Sequence, residues 1–219
     1  MGTAFPIERR VTDLSLVAYA DESVRRYHDP RFDATAVKLL PGEHYVTAVP
    51  HEMIVTVLGS CVAACIRDPT IGVGGMNHFM LPESPDGRWG GACAAMRYGN
   101  FAMEKLVNDI LKRGGCRSRL EVKVFGGASL MGASAIGTAN GEFVLRYLKE
   151  EGLTAEAQDL YGVFPRRVHY FPSNGQAHVL ALRRQDDLAM VAHETHYRTQ
   201  LQLAPVTGSI ELFGGRQQP

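Results

Sequence analysis

The sequence predicts an α+β fold, an α/β sandwich in which mixed β-sheets pack with helices in a single domain. Short runs rich in Val, Ile and Thr recur between turn residues, which is typical of strands. Several of these runs follow one another directly, without the strand–helix alternation of a doubly wound sheet. The 219 residues fit one domain with a sizeable hydrophobic core.

Three regions are predicted along the chain. Residues 1–38 are mixed and polar and are interpreted as an N-terminal extension that is partly ordered at best, residues 39–203 as the folded domain, and residues 204–219 as a C-terminal tail. Predicted strands of the domain are His44–Val49, Met53–Leu58, Gly72–Leu81, Leu120–Phe125, Ala155–Leu160, Arg167–Phe171 and Ala177–Leu182. Apolar periodicity predicts helices over Phe101–Lys112, Gly141–Glu151 and Asp186–Leu203, and residues 83–95 are predicted to form a loop.

Composition excludes several classes of protein. Lys+Arg and Asp+Glu both number 23, and this balance argues against nucleic-acid binding. No apolar run is long enough to span a membrane, and the first residues do not resemble a secretory signal, so the expected location is the cytoplasm. The four cysteines form no CxxC pair, which leaves buried thiols and a candidate nucleophile rather than a zinc site or a disulfide scaffold.

The candidate nucleophile is Cys61, in the segment Thr56-Val57-Leu58-Gly59-Ser60-Cys61. A strand runs into Gly59, and a glycine permits the sharp turn that presents the next side chains. If Ala63–Ile66 begins a helix, free N–H groups near the thiol lower its pKa; if the segment is a strand, that activation weakens. A lone cysteine is also commonly a small buried hydrophobic residue, and both interpretations stay open on this pattern.

His78 is the candidate general base. In a strand, Met76, His78 and Met80 share one face, and a turn between two extended segments brings Cys61 and His78 together. Thr56 is placed to accept a hydrogen bond from the other imidazole nitrogen and to fix the tautomer. A histidine among apolar residues can equally be structural.

Six ordered segments of the chain resemble the chemoreceptor glutamine deamidase family, CheD. They run from about Leu39 to Arg184 and are LPGE at 40–43, TVLGSCVA at 56–63, GGMNHFMLP at 74–82, RYGN at 97–100, KVFGGA at 123–128 and FPRRV at 164–168. The segment Gly137–Gly141 departs from the charged loop that is usual there.

The resemblance implies a Cys-His-Thr triad of Cys61, His78 and Thr56, with no metal or organic cofactor. It implies hydrolysis of glutamine side chains to glutamate through a cysteine thioester, with release of ammonia. The implied substrate is the cytoplasmic coiled coil of methyl-accepting chemotaxis receptors, and a CheC-type phosphatase is an implied partner in some bacteria. Two alternatives remain: a non-catalytic adaptor that binds receptors or the phosphatase, and a methylesterase or acyl transferase that uses the same thiol.

Overall fold

The computed structural model describes residues 8–9, 25–81, 92–129, 134–182, 196–197 and 199–201. Within these residues the chain forms eleven strands, two long α-helices, one short 3-10 helix, Arg117–Arg119, and a helical segment at residues 196–197 and 199–201. The strands belong to two sheets.

The first sheet has six strands. In spatial order they are β1 (Glu8–Arg9), β11 (Ala177–Ala181), β10 (Arg166–Tyr170), β5 (Glu52–Leu58), β3 (Ala34–Lys38) and β2 (Arg26–Asp29). The pairs β1/β11 and β3/β5 are parallel, and the other pairs are antiparallel. The sheet is therefore mixed.

The second sheet has five strands. In spatial order they are β4 (His44–Thr47), β7 (Val73–Asn77), β6 (Val62–Asp68), β8 (Glu121–Gly126) and β9 (Ala155–Leu160). Only the β8/β9 pair is parallel. Every residue of the central strand β6 is buried, because one face of this sheet packs on helices and the other packs on the first sheet.

Two helices cover the outer face of the five-stranded sheet. They are α1 (Ala92–Lys112) and α2 (Ser134–Glu150). Helix α1 ends as the sequence predicts, since Gly114 adopts φ +94° and the Gly115 N–H donates to the Ile110 carbonyl at 3.0 Å. No helix in the described part of the chain has both the length and the apolar character needed to cross a membrane.

The two sheets and the helices form three layers with two hydrophobic cores between them. Val62, Phe79 and Leu106 belong to the core between the helices and the five-stranded sheet. Ile54, Cys61 and the aromatic ring of Tyr170 belong to the core between the sheets. This architecture confirms the predicted α+β sandwich with mixed sheets.

Some predicted boundaries are wrong. Part of the expected N-terminal extension belongs to the first sheet, because β3 pairs with β5 and β2 pairs with β3. Helix α2 begins at Ser134 rather than Gly141, and α1 begins at Ala92 inside the predicted loop. Of the predicted helix Asp186–Leu203, residues 196–197 and 199–201 are helical and the remainder lies outside the described residues.

Candidate active site

Cys61 lies where the chain passes from one sheet to the other. Strand β5 ends at Leu58 in the six-stranded sheet, and β6 begins at Val62 in the five-stranded sheet, so the Gly59–Cys61 link crosses the layer between them. The Cys61 side chain is fully buried in that layer. The alternative in which Ala63–Ile66 begins a helix is wrong, because this segment pairs with β8 as a strand. The N–H groups of this segment are therefore those of a strand and not of a helix N-terminus.

His78 follows β7 and is held beside Cys61 by the backbone. Val62 and Phe79 form a bridge in which each N–H donates to the other carbonyl at 2.9 Å. Residues on either side of this bridge point to the opposite face, so Cys61 and His78 are diagonal neighbours facing the six-stranded sheet. Met76 and Met80 lie in the same inter-sheet core, which confirms the predicted face.

Thr56 reaches His78 across the inter-sheet layer. Its hydroxyl lies 2.7 Å from Nδ1 of His78 and donates to the carbonyl of Leu39 at 2.9 Å. Because the single hydroxyl proton is used on Leu39, Thr56 accepts from Nδ1–H, and this assigns Nε2 as the unprotonated nitrogen. In the part of the chain that the structure describes, Nε2 has no hydrogen-bond partner. It is a basic lone pair on the face that it shares with Cys61.

His78 is neutral in this environment. Burial lowers the pKa of the imidazole from its ordinary value of 6.5 to about 3, since the cation loses its hydration between the sheets. The neutral imidazole is the form that can accept a proton from a thiol. The site is thus a neutral histidine beside a thiol.

The turn that carries Cys61 is clamped by the end of β8. The N–H of Gly127 donates to the Cys61 carbonyl and the N–H of Ala128 to the Gly59 carbonyl, both at 2.7 Å. Gly126 has φ +112°, and a Cβ there would lie 2.1 Å from the Cys61 oxygen. Only glycine lets the two backbones approach this closely.

Asn140, from helix α2, joins the nucleophile turn to the strand end that follows His78. Its side chain is completely buried; Nδ2 donates to the Ser60 carbonyl and Oδ1 accepts from the Leu81 N–H, both at 2.8 Å. Holding the Ser60 carbonyl fixes the Ser60–Cys61 peptide plane, and in a trans peptide the Cys61 N–H then points away from α2. Asn140 was not predicted from the sequence, because the segment around it was interpreted as a loop.

Cysteines other than Cys61 are placed differently. Cys65 is buried on the same face of β6, and burial raises the pKa of its thiol well above the ordinary value. Cys116 lies outside both cores, before the short 3-10 helix. Cys61 and Cys65 both lie two positions from Ala63, which is opposite His78, and of the two Cys61 is the one in the link between the sheets.

Known proteins resemble this chain along most of its length. A family model described as CheD chemotactic sensory transduction matches residues 80–181. A protein of Rhodopseudomonas palustris (strain BisA53) named "Probable chemoreceptor glutamine deamidase CheD" is 59% identical over 88% of this chain and 91% of its own length. Proteins with the same name from Bordetella parapertussis and Janthinobacterium sp. (strain Marseille) are 54% and 49% identical over 78% and 85% of this chain and 82% and 93% of their own lengths.

A solved structure, Neisseria meningitidis protein NMB0706 of the DUF152 family, covers 55% of this chain and 52% of its own with a TM-score of 0.32 and 10% identity. That likeness is too low to support an argument. The relatives at 49–59% identity align along most of both chains. The chain belongs to the CheD family.

Proposed function

We propose that this protein is a glutamine deamidase that acts on chemoreceptors through a thioester on Cys61. The observation that carries the proposal is the hydrogen bond of 2.7 Å between Thr56 and His78, with Nε2 of the neutral imidazole on the face it shares with Cys61. A thiol nucleophile requires a base and a third group that orients the base; Thr56 orients His78, and Nε2 has no other hydrogen-bond partner among the described residues. We assign Cys61 as nucleophile, His78 as general base and acid, and Thr56 as the positioning residue.

The first half-reaction forms the thioester. Nε2 of His78 takes the proton of the Cys61 thiol, and Sγ attacks the side-chain amide carbon of the substrate glutamine. Backbone N–H groups of the Gly59–Cys61 turn stabilise the resulting oxyanion; the Val62 N–H is not among them, because it donates to Phe79. The imidazolium then gives its proton to the leaving nitrogen, the C–N bond breaks, and ammonia departs.

The second half-reaction hydrolyses the thioester and regenerates the free enzyme. His78 removes a proton from a water molecule that attacks the thioester carbonyl, the C–S bond breaks, and Cys61 recovers its proton from the imidazolium. The product is a glutamate side chain. The imidazolium exists only during turnover, which agrees with a resting pKa of about 3 for His78.

The relatives are named as chemoreceptor deamidases, and we propose the cytoplasmic coiled coil of the receptors as the substrate of this chain. The reaction then takes place in the cytoplasm. A CheC-type phosphatase that competes for the same face is a further proposed partner. It is tested by whether such a phosphatase slows deamidation in proportion to its binding.

The test is mass spectrometry of a receptor cytoplasmic fragment incubated with the protein. We expect an amide-to-acid mass change at specific glutamines with the wild type and none with Cys61→Ala. Cys65→Ala is the matched control, since it removes a buried thiol from the same face of the same strand, and it should retain activity. Binding without a mass change in the wild type would favour the adaptor. Release of methanol or formation of an amine adduct would favour the esterase or the transferase.

A further inference from the structure

The nucleophile is closed off in this structure. Cys61 is 0% exposed and His78 is 3% exposed, so the amide of a protein substrate cannot contact the thiol while the surrounding residues keep these positions. Strands β6 and β7 pair through main-chain hydrogen bonds and belong to a sheet buried on both sides. Access therefore requires the displacement of a residue outside the sheets.

Among the described residues, part of the cover of the site from outside the sheets is a helical turn near the C-terminus, residues 196–197 and 199–201, here called the C-terminal cap. Tyr197 and Leu201 pack against the inter-sheet core that contains Cys61. Positions four apart lie on one face of a helix, so a single face of the cap contacts the domain. On the other face, His196 and Gln200 are exposed and hydrogen-bonded to each other at 3.0 Å.

Tyr197 is the cap residue nearest the catalytic groups. Its hydroxyl lies 2.5 Å from the hydroxyl of Tyr98 on α1, and 2.8 Å from where a Cβ on Gly42 would be. The N–H of Gly42 donates to the carbonyl of His78 at 2.7 Å, which puts the Tyr197 ring beside the backbone of the base. Burial raises the pKa of both tyrosine hydroxyls, and their interaction with Cys61 acts in the same direction.

We infer that the C-terminal cap occupies the face on which the substrate docks, and that an amphipathic receptor helix must replace it for a glutamine to reach Cys61. This inference rests on the proposed function for the identity of the incoming helix. The shape of the cap supports this inference. Its helical turn places the apolar side chains of Tyr197 and Leu201, four positions apart, against the core, as a docking helix would place its apolar face and its glutamine. The contacts of Tyr197 and Leu201 with the core, and the tyrosine pair, are side-chain contacts that a docked helix can replace.

The test measures access to the thiol directly, in the full chain. Iodoacetamide alkylation of each cysteine is followed by peptide mapping for the wild type, Tyr197→Ala, Leu201→Ala and Gln200→Ala. The first two remove buried cap contacts, and we expect each to raise the Cys61 rate by about tenfold or more, because the apolar contacts opposing opening are lost. Gln200→Ala changes only the exposed face of the cap and should match the wild type. Cys65 is the internal control for general loosening and should not change in any variant.

The outcomes separate this inference from the proposed function. An unchanged Cys61 rate in both cap variants overturns it, and so does a parallel rise of Cys61 and Cys65. In the deamidation assay, Tyr197→Ala should raise kcat/KM for the receptor fragment. If the cap variants are alkylated faster at Cys61 but no form of the protein deamidates the fragment, the proposed deamidase function is overturned and the inference about the cap stands. If the wild type deamidates the fragment but neither cap variant changes the alkylation or deamidation rate, only the inference about the cap is overturned.

Discussion

The stability of the protein should fall steeply in mild acid because His78 is buried as a neutral imidazole. Its pKa is about 3 in the folded protein, whereas a histidine in an unfolded chain titrates near 6.5. Between these two values the unfolded state binds one proton more at this residue than the folded state does. The free energy of unfolding therefore decreases as the pH falls through this window, and this contribution is fully present only above about pH 6.5.

The size of the effect follows from the two pKa values. Each pH unit below 6.5 costs about 1.4 kcal/mol, so at pH 4.5 His78 lowers the free energy of unfolding by roughly 3 kcal/mol. His169 is an internal comparison, since burial also lowers its pKa to about 3. Its ring contacts Phe32 on the outer side of the six-stranded sheet, away from His78, so the two contributions should add.

The assay is urea unfolding of the wild type, His78→Gln and His169→Gln between pH 4.5 and 7.5. Each substitution should reduce the slope of unfolding free energy against pH by about 1.4 kcal/mol per unit, and only His78→Gln should abolish deamidation. A His78→Gln variant with the slope of the wild type would refute the reasoning. It would mean that the pKa of His78 in the folded protein is near its value in the unfolded chain, and that burial does not keep the imidazole neutral in mild acid.

Three further substitutions test how the site is held. Thr56→Val should lower kcat about tenfold to a hundredfold, because valine cannot accept a hydrogen bond from the imidazole of His78. Thr56→Ser keeps a hydroxyl that can accept this bond and should stay near the wild-type kcat. Equal kcat values for the two variants would remove Thr56 from the triad. Asn140→Asp should lower kcat about tenfold at constant KM, since a carboxylate cannot donate a hydrogen bond to the Ser60 carbonyl. The control is Asn77→Asp, which changes a buried asparagine that is hydrogen-bonded to α1. An equal loss of kcat in this control would indicate a general loss of packing. Gly126→Ala should lower the free energy of unfolding, measured with urea, by about 2–4 kcal/mol. Gly152→Ala should lower it by only about 1 kcal/mol, because Gly152 has a positive φ but open space around it. Similar losses would show that the close approach of the Gly126 and Cys61 backbones does not limit stability.

The alternation of side chains along β7 was predictable from the sequence, because it depends only on the two-residue period of a strand. Met76, His78 and Met80 face the inter-sheet layer, while Asn77 bonds to the carbonyl of Ala102 on α1 and Phe79 packs under the helices. The contact between Thr56 and His78 was also predicted. The roles assigned to the triad remain predictions that the kinetic experiments test.

The surroundings of Cys61 were less predictable because they depend on tertiary pairing. The residues after Cys61 are small and fit a helix or a strand, and it is the pairing of β6 with β8 that makes them a strand. Gly137 suggested a loop, yet it lies within α2, where a Cβ would be 2.4 Å from the Ala128 carbonyl. Glycine at this position allows the helix to pack closely on the catalytic turn. The same glycine favoured the interpretation of the segment as a loop, and Asn140 was therefore not predicted as a helix residue that contacts the site.

The crossing of the chain between the sheets ties chemistry to folding. Thr56 belongs to the six-stranded sheet and His78 follows a strand of the five-stranded sheet, so neither sheet alone contains a base and the group that orients it. A chain with only one sheet formed lacks either the base or the group that orients it. The complete triad therefore exists only when the two sheets are docked, which spares a half-folded chain from forming thioesters with whatever amides lie near it.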